Sequence, residues 1–380
     1  MVLLRKTIYV TLILCAFWTA DGKSQANEGS RQHPDSLQQS EASLLDLRVR
    51  GMGFFRNSEF RNSLAIGTSM AGASLEPVLE FRPEARTTLS AGVHLLKYAG
   101  RDNFDRVLPV IRYQYKPSER FTLIFGTLYG SATHRLPEPV FDFEQSLIND
   151  YENGIQLLLN FPSFKSDIWL NWEQFIKAGD PFQEMFTAGM NSSIVFYDSP
   201  NLQLSTPLIT LFRHQGGEID STDLPASTRL NLVQGFRADF TFGKRFFRSA
   251  WANFLWMEFT EVNPGGHVTI PYGHGTWCQA GVKTSLGNLE AGYWRGVNFI
   301  APHGMPLYQS VSQKTGQLTE PERRMITMRY ELDQQLTPYL RLLLRLEPYY
   351  DLNSNRIDHI WTACLAVDGS FFLARRRRSR

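Results

Sequence analysis

Charged side chains recur at every second position in several apolar stretches of this 380-residue sequence. Arg48 and Arg50 alternate with Leu47 and Val49, and Arg237 and Asp239 with Phe236 and Phe240. Arg329 and Glu331 are interleaved with Met328, Tyr330 and Leu332, and Arg341, Arg345 and Glu347 with Leu340, Leu342, Leu344 and Leu346. Period two segregates the two sets onto opposite faces of a strand. The polar face so defined carries Arg48, Arg50, Arg112, Arg237, Arg329, Arg341 and Arg345 together with Glu76, Glu80, Glu173, Asp239, Glu331 and Glu347. Such a mixed-charge face can line a water-filled passage. Rings of one sign would select ions; these signs alternate, so strong ion selectivity is not expected. The structural alternative is that the charges pair with one another and fill the interior.

Other chemistry is sparse. The segment 131–151 holds Glu138, Asp142, Glu144 and Asp150 among Pro137, Pro139, Phe141 and Phe143. It is long, acidic and partly apolar. His267, His274 and His303 fall on separate glycine-rich loops without the spacing of a metal site. Neither G-x-S-x-G nor H-E-x-x-H occurs. Asp358 and His359 are adjacent, and neighbours in a strand point to opposite faces, so they cannot easily cooperate. Seven tryptophans (Trp169, Trp172, Trp251, Trp256, Trp277, Trp294, Trp361) suit aromatic girdles better than sugar-stacking positions. These residues predict no catalytic centre, and the chain is read as a non-enzyme with no cofactor and no metal.

The elements that would position the charges are strands. Segments of strand character run over 45–55, 74–82, 87–97, 106–115, 121–130, 153–161, 167–176, 185–196, 202–214, 230–242, 249–260, 276–285, 289–297, 326–333, 340–347 and 356–371. Their connectors alternate between tight ones, such as 82–85, 116–119 and 286–288, and long ones, such as 131–151, 215–227, 262–274 and 298–323. A soluble sandwich has no reason to keep that rule, whereas an outer-membrane barrel has short periplasmic turns and longer outer loops. The fold class expected is all-β: a transmembrane antiparallel up-and-down β-barrel of about 16 strands, between about 14 and 18 if one hairpin is merged or split.

Arg5 and Lys6 precede a short apolar run at 7–18, with small-residue cleavage positions after Gly22 or Ala26. This reads as a signal peptide over 1–26. A Gln/Ser/Asp/Glu-rich lead-in over 27–44, the barrel over 45–372 and a basic tail over 373–380 complete the expected organisation. Basic and acidic residues nearly balance, 39 against 37, so no nucleic-acid surface is expected. Cys278 and Cys364, the cysteines beyond the leader, imply no disulfide framework.

The stretches 47–55 (LRVRGMGFF), 107–115 (VLPVIRYQY), 121–126 (FTLIFG), 151–157 (YENGIQL) and 169–175 (WLNWEQF) carry a family likeness. Over about residues 45–372 the chain resembles Bacteroidota outer-membrane β-barrel proteins of porin-like type. The resemblance implies export to the outer membrane of a Gram-negative cell, insertion by the outer-membrane assembly machinery, contact with outer-membrane lipid, and passage or binding of a small polar solute. It also implies that the loop carrying Glu138, Asp142, Glu144 and Asp150 folds into the lumen as a constriction. The function expected is therefore a porin-like channel. A silent accessory barrel in an outer-membrane complex and an outer-membrane hydrolase are the alternatives, and both monomer and oligomer fit.

Overall fold

The computed structural model describes residues 43–263 and 270–375. The leader and the lead-in up to residue 42, His267 and the tail from residue 376 lie outside them. The described strands are β1 (Ser43–Glu59), β2 (Ser69–Glu84), β3 (Thr87–Tyr98), β4 (Arg106–Ser118), β5 (Phe121–Thr127), β6 (Asn153–Asn160), β7 (Phe164–Gln174) and β8 (Glu184–Asp198). They continue as β9 (Leu202–Gly216), β10 (Ser227–Thr241), β11 (Phe247–Glu261), β12 (Tyr272–Thr284), β13 (Gly287–Val297), β14 (Glu322–Gln335), β15 (Leu340–Asp351) and β16 (Arg356–Arg375). Each pairs antiparallel with its chain neighbours, and β16 closes on β1 to complete a sixteen-stranded barrel. The strand count and the up-and-down order are those expected from the alternation.

The side-chain period explains both faces. Along β1, Asp46, Arg48, Phe54 and Arg56 are buried inside, while Phe55 is exposed outside. Along β14, Arg323, Met325, Thr327 and Glu331 are buried and Met328 is exposed. Large apolar side chains cover the outside elsewhere too, among them Leu79, Ile111, Phe125, Phe236, Leu289, Leu346 and Ile357. In water such a belt would be an aggregation surface; against hydrocarbon it is the matched face. No described helix is long and apolar enough to cross a membrane, and the strands are the spanning elements.

Short turns join the strands at one end and longer loops at the other, with one departure. The outer connector 352–355 is tight because the Asp351 carboxylate accepts from the Asn353 amide (2.7 Å) and the Ser354 hydroxyl (2.7 Å). Asn355 completes this turn at φ 54°, a left-handed conformation that Asn tolerates better than most residues.

Three outer loops turn back into the barrel: 60–68, 128–152 and 298–321. They contain the 3-10 turns Ser131–His134 and Pro306–Tyr308 and the one-turn helix α1 (Gln145–Ile148). Val140, Phe299, Met305, Leu307 and Tyr308 from these loops pack against the wall residues Ile124, Trp169, Val233, Met257, Phe259, Trp294 and Met325. Burying each such side chain contributes about 1.5–3 kcal/mol relative to leaving it in water. The hydrophobic core therefore sits inside the barrel, as a plug toward its outer end.

Three tryptophans expected in the girdles, Trp169, Trp277 and Trp294, are instead buried in this interior, whereas Trp172 and Trp361 do face outward. Room for two of the buried rings comes from glycine on the neighbouring strand. A Cβ at Gly189 would lie 2.1 Å from Trp169, and one at Gly275 2.2 Å from Trp294.

Candidate functional site

The most reactive grouping lies where the plug meets β7 and β8. Glu173, near the end of β7, points inward by the same parity that sends Trp172 outward. Thr187 on β8 faces inward opposite Arg213 of β9. The loop 298–321 brings His303 down to them, held by its carbonyl, which accepts from the Asp142 amide at 2.7 Å. His303 Nε2 lies 2.9 Å from Thr187 Oγ1 and 3.1 Å from Glu173 Oε1. Thr187 also donates to Glu173, whose second oxygen meets Arg213 Nη2 at 3.2 Å.

A hydroxyl, an imidazole and a carboxylate thus converge on one point. They border a partly open cleft with Leu136, Phe141, Trp169 and Leu211 as its apolar walls. The imidazole can move a proton to or from a bound hydroxyl or water, and the carboxylate can balance the charge it gains. The arrangement departs from a serine-protease triad, because carboxylate and hydroxyl meet the same ring nitrogen.

A second histidine at the cleft has a different character. His134 is 1% exposed, stacks on Trp169 with ring centroids 3.6 Å apart, and has a carboxylate at each nitrogen. Glu152 lies 2.8 Å from Nε2 and Asp167 2.8 Å from Nδ1. Burial pulls its pKa down, but Glu152 and Asp167 outweigh that and hold it up at about 9. His134 is therefore an imidazolium that pins the plug to the wall, and the Asn191 side chain reinforces it by donating to the His134 carbonyl at 2.7 Å. Sequence reading passed over His134; the available signal was Asp167 on the polar face of its strand.

The residues expected to line a passage all face the interior, mostly in ion pairs. Arg48 meets Asp368 at 2.9 Å and Glu80 at 3.8 Å, and Arg50 pairs with Glu76. Arg112 donates to the carbonyls of Thr127 and Leu128 (2.7 Å each), anchoring the root of loop 128–152. Arg237 pairs with Asp239 at 2.7 Å and Arg341 with Asp333, both partly exposed. Arg329 and Arg345 share Glu347 at 2.9 and 2.7 Å, and Arg345 reaches Glu331 at 3.6 Å.

The loop acids join this network. Glu138 pairs with both Arg329 and Arg345. Asp142 and Glu144 lie 3.6 and 3.3 Å from Arg56. Asp150 stays within its own loop, accepting from the Ala132 amide at 2.9 Å and the Ser131 hydroxyl at 3.2 Å. Burial pushes Asp142 and Asp150 up to about 6, although Arg56 opposes the shift at Asp142 and the Ala132 amide opposes it at Asp150.

Other sequence-level candidates separate. His274 stacks on Trp256 at 5.2 Å, away from His303. Asp358 is fully buried and accepts from the Arg61 amide and the Asn62 side chain, while His359 lies 3.8 Å from Glu59. That pair points to opposite faces, as strand geometry requires.

Among solved structures, the chain is similar to the outer membrane protein OprD of Pseudomonas aeruginosa, at 10% identity and a TM-score of 0.51 over 88% of this chain and 96% of that one. It is also similar to a loop L8 deletion mutant of OmpT, an outer membrane protein of Vibrio cholerae, at 9% identity and a TM-score of 0.51 over 86% and 100%. Identities this low speak for the outer-membrane barrel fold alone. No curated protein matches the sequence. A family model described as Lipid A 3'-O-deacylase-type matches residues 37–376. That description is of an enzyme, and it overturns the expectation of a barrel without enzymatic activity. The match runs from ahead of β1 to the end of β16, and the chain belongs to the Lipid A 3'-O-deacylase-type family.

Proposed function

We propose that the protein is an outer-membrane hydrolase that removes an ester-linked acyl chain from a lipid A-type glycolipid, with His303 as the proton-transfer residue. The observation that carries this reading is the meeting of His303 Nε2 with the Thr187 hydroxyl at 2.9 Å and the Glu173 carboxylate at 3.1 Å. The family description supplies the substrate class. With its Nε2–H held by Glu173, His303 accepts a proton at Nδ1 from water as the water oxygen bonds to the ester carbon. The carbon–oxygen bond to the sugar then breaks, the proton passes to the departing sugar oxygen, and the products are a fatty acid and a free hydroxyl. Glu173 stabilises the transient imidazolium, and Thr187 positions the water or the ester oxygen.

The test is release of fatty acid from lipopolysaccharide by the reconstituted protein, followed by mass spectrometry of the remaining lipid A. Wild type should release it, and His303→Gln should be slower by about 10²–10⁴-fold, the usual contribution of a positioned acid or base. Both proteins should keep the folded band on an unboiled gel. No release by wild type, or full activity in His303→Gln, would overturn the assignment.

A second reading is passage of small polar solutes past a displaced plug. It is favoured by the partly exposed pairs Arg237–Asp239 and Arg341–Asp333.

A further inference from the structure

His303 is held at two points. Its ring Nε2 meets Thr187 at 2.9 Å and Glu173 at 3.1 Å on the barrel wall. Its carbonyl accepts from the amide of Asp142, in loop 128–152, at 2.7 Å. Two anchors fix the plane of the ring, and with it the direction of Nδ1, the atom that takes the proton. The first anchor belongs to the wall. The second is only as well placed as Asp142.

Segment 138–144 lies between the His303 loop and the wall. Toward the loop, the Glu138 carbonyl accepts from the Met305 amide at 2.9 Å, and the Pro139 carbonyl from the Gln309 side chain at 3.2 Å. A Cβ at Gly304 would lie 2.1 Å from the Pro139 oxygen, so the two segments touch beside His303. Toward the wall, Glu138 pairs with Arg329 and Arg345, and the Phe143 ring lies 3.8 Å from the Arg345 guanidinium. At Asp142 itself the wall residue is Arg56 of β1. Its Nη2 is 3.6 Å from the Asp142 carboxylate, its Nε donates to Glu144 at 3.3 Å, and its Nη1 donates to the Thr362 hydroxyl of β16 at 3.1 Å. Arg56 is 2% exposed, so one buried guanidinium fork spans two loop acids and a wall hydroxyl.

We infer that Arg56 is a positioning residue for His303. From β1, six strands away from β7, it fixes Asp142, and through the Asp142 amide it aims the imidazole at Glu173 and Thr187. The inference rests on His303 as the proton-transfer residue. Two substitutions isolate the contact. Arg56→Lys keeps the charge, but a single ammonium lacks the planar fork that spans both acids and Thr362. Asp142→Asn keeps the amide N–H that holds His303 and removes the ion pair with Arg56.

The test measures fatty-acid release by the full chain as wild type, Arg56→Lys, His303→Gln and the double variant. Arg56→Lys should lower kcat by about 10- to 100-fold, the scale of a misplacement of about 1 Å, and leave KM within about twofold. In the His303→Gln background it should lower kcat no further, because no imidazole remains to be aimed. A merely structural role would lower both backgrounds by the same factor. A second readout needs no turnover: modification of His303 by diethyl pyrocarbonate, followed by peptide mass spectrometry, with His274 as internal reference. Arg56→Lys should speed modification of His303 several-fold and leave His274 unchanged. Asp142→Asn should do the same, and it carries both measurements if Arg56→Lys gives no folded gel band. Full kcat in the variants, equal losses in the two backgrounds, or unchanged modification of His303 would overturn the inference. An inactive wild type whose His303 is still modified faster in Arg56→Lys would overturn the hydrolytic reading instead and support the hold of Arg56 on His303.

Discussion

His134 has a carboxylate against each ring nitrogen, and this decides its charge before any solvent effect. Its pKa in the fold, about 9, lies above the ordinary value of 6.5. A raised basic group contributes stability that is complete below its unfolded pKa and is lost as pH rises through the folded one. Hydrogen exchange over 131–152 should therefore be fully protected below about pH 6.5 and lose that protection progressively up to about pH 9. Protection that persists unchanged at pH 10 would remove the pin from the account. Asp142 and Asp150 act with the same sign in a lower window, each raised to about 6. The folded loop then holds protons more tightly than the unfolded chain between about pH 4 and 6, so mild acid should tighten the loop. At this scale the sequence showed the inward arginines and the loop acids. It did not show His134 or the closeness of His303 to Thr187, because the partners are remote in the chain and no spacing rule links a loop to a strand two hairpins away.

Among the elements, loop 128–152 is tied to the barrel wall by ion pairs. Arg345 couples it to the wall through Glu138 and also meets Glu331 and Glu347. Arg345→Ala leaves these buried carboxylates short of a cation and should cost about 3–5 kcal/mol, seen as earlier loss of the folded gel band on heating. A variant as stable as wild type would show that the network is dispensable. Removing residues 137–146 should convert a barrel of little or no conductance into one with stable open channels in a planar bilayer. If conductance does not change, the plug is not what closes the lumen. Gly189→Val would press on Trp169 and, through the stack, on His134; overpacking of this kind typically costs about 1–3 kcal/mol. The strands themselves were legible because period two is a local signal. The inward fold of the loop was implied only by resemblance, since its ion pairs join residues such as Glu138 and Arg345 that are 207 positions apart.

For the whole molecule, a closed barrel of sixteen strands meets the expectation of about 16, between about 14 and 18, that came from the alternation of short and long connectors. That alternation was silent on the solid interior, because apolar residues in loops carry no period, and it left enzymatic activity to be recognised through the family. The plug also has a bearing on time. Asn62 in the first outer loop donates to Asp358, 296 residues later on the final strand, and its carbonyl accepts from Lys314, 252 residues later. Neither partner exists for Asn62 until nearly the whole chain has been made and β16 has met β1. Contacts of such long sequence separation form late and slowly. Biogenesis should therefore run in two stages, a closed but leaky cylinder followed by its stopper, with protease resistance of the outer loops lagging behind the gel-mobility change.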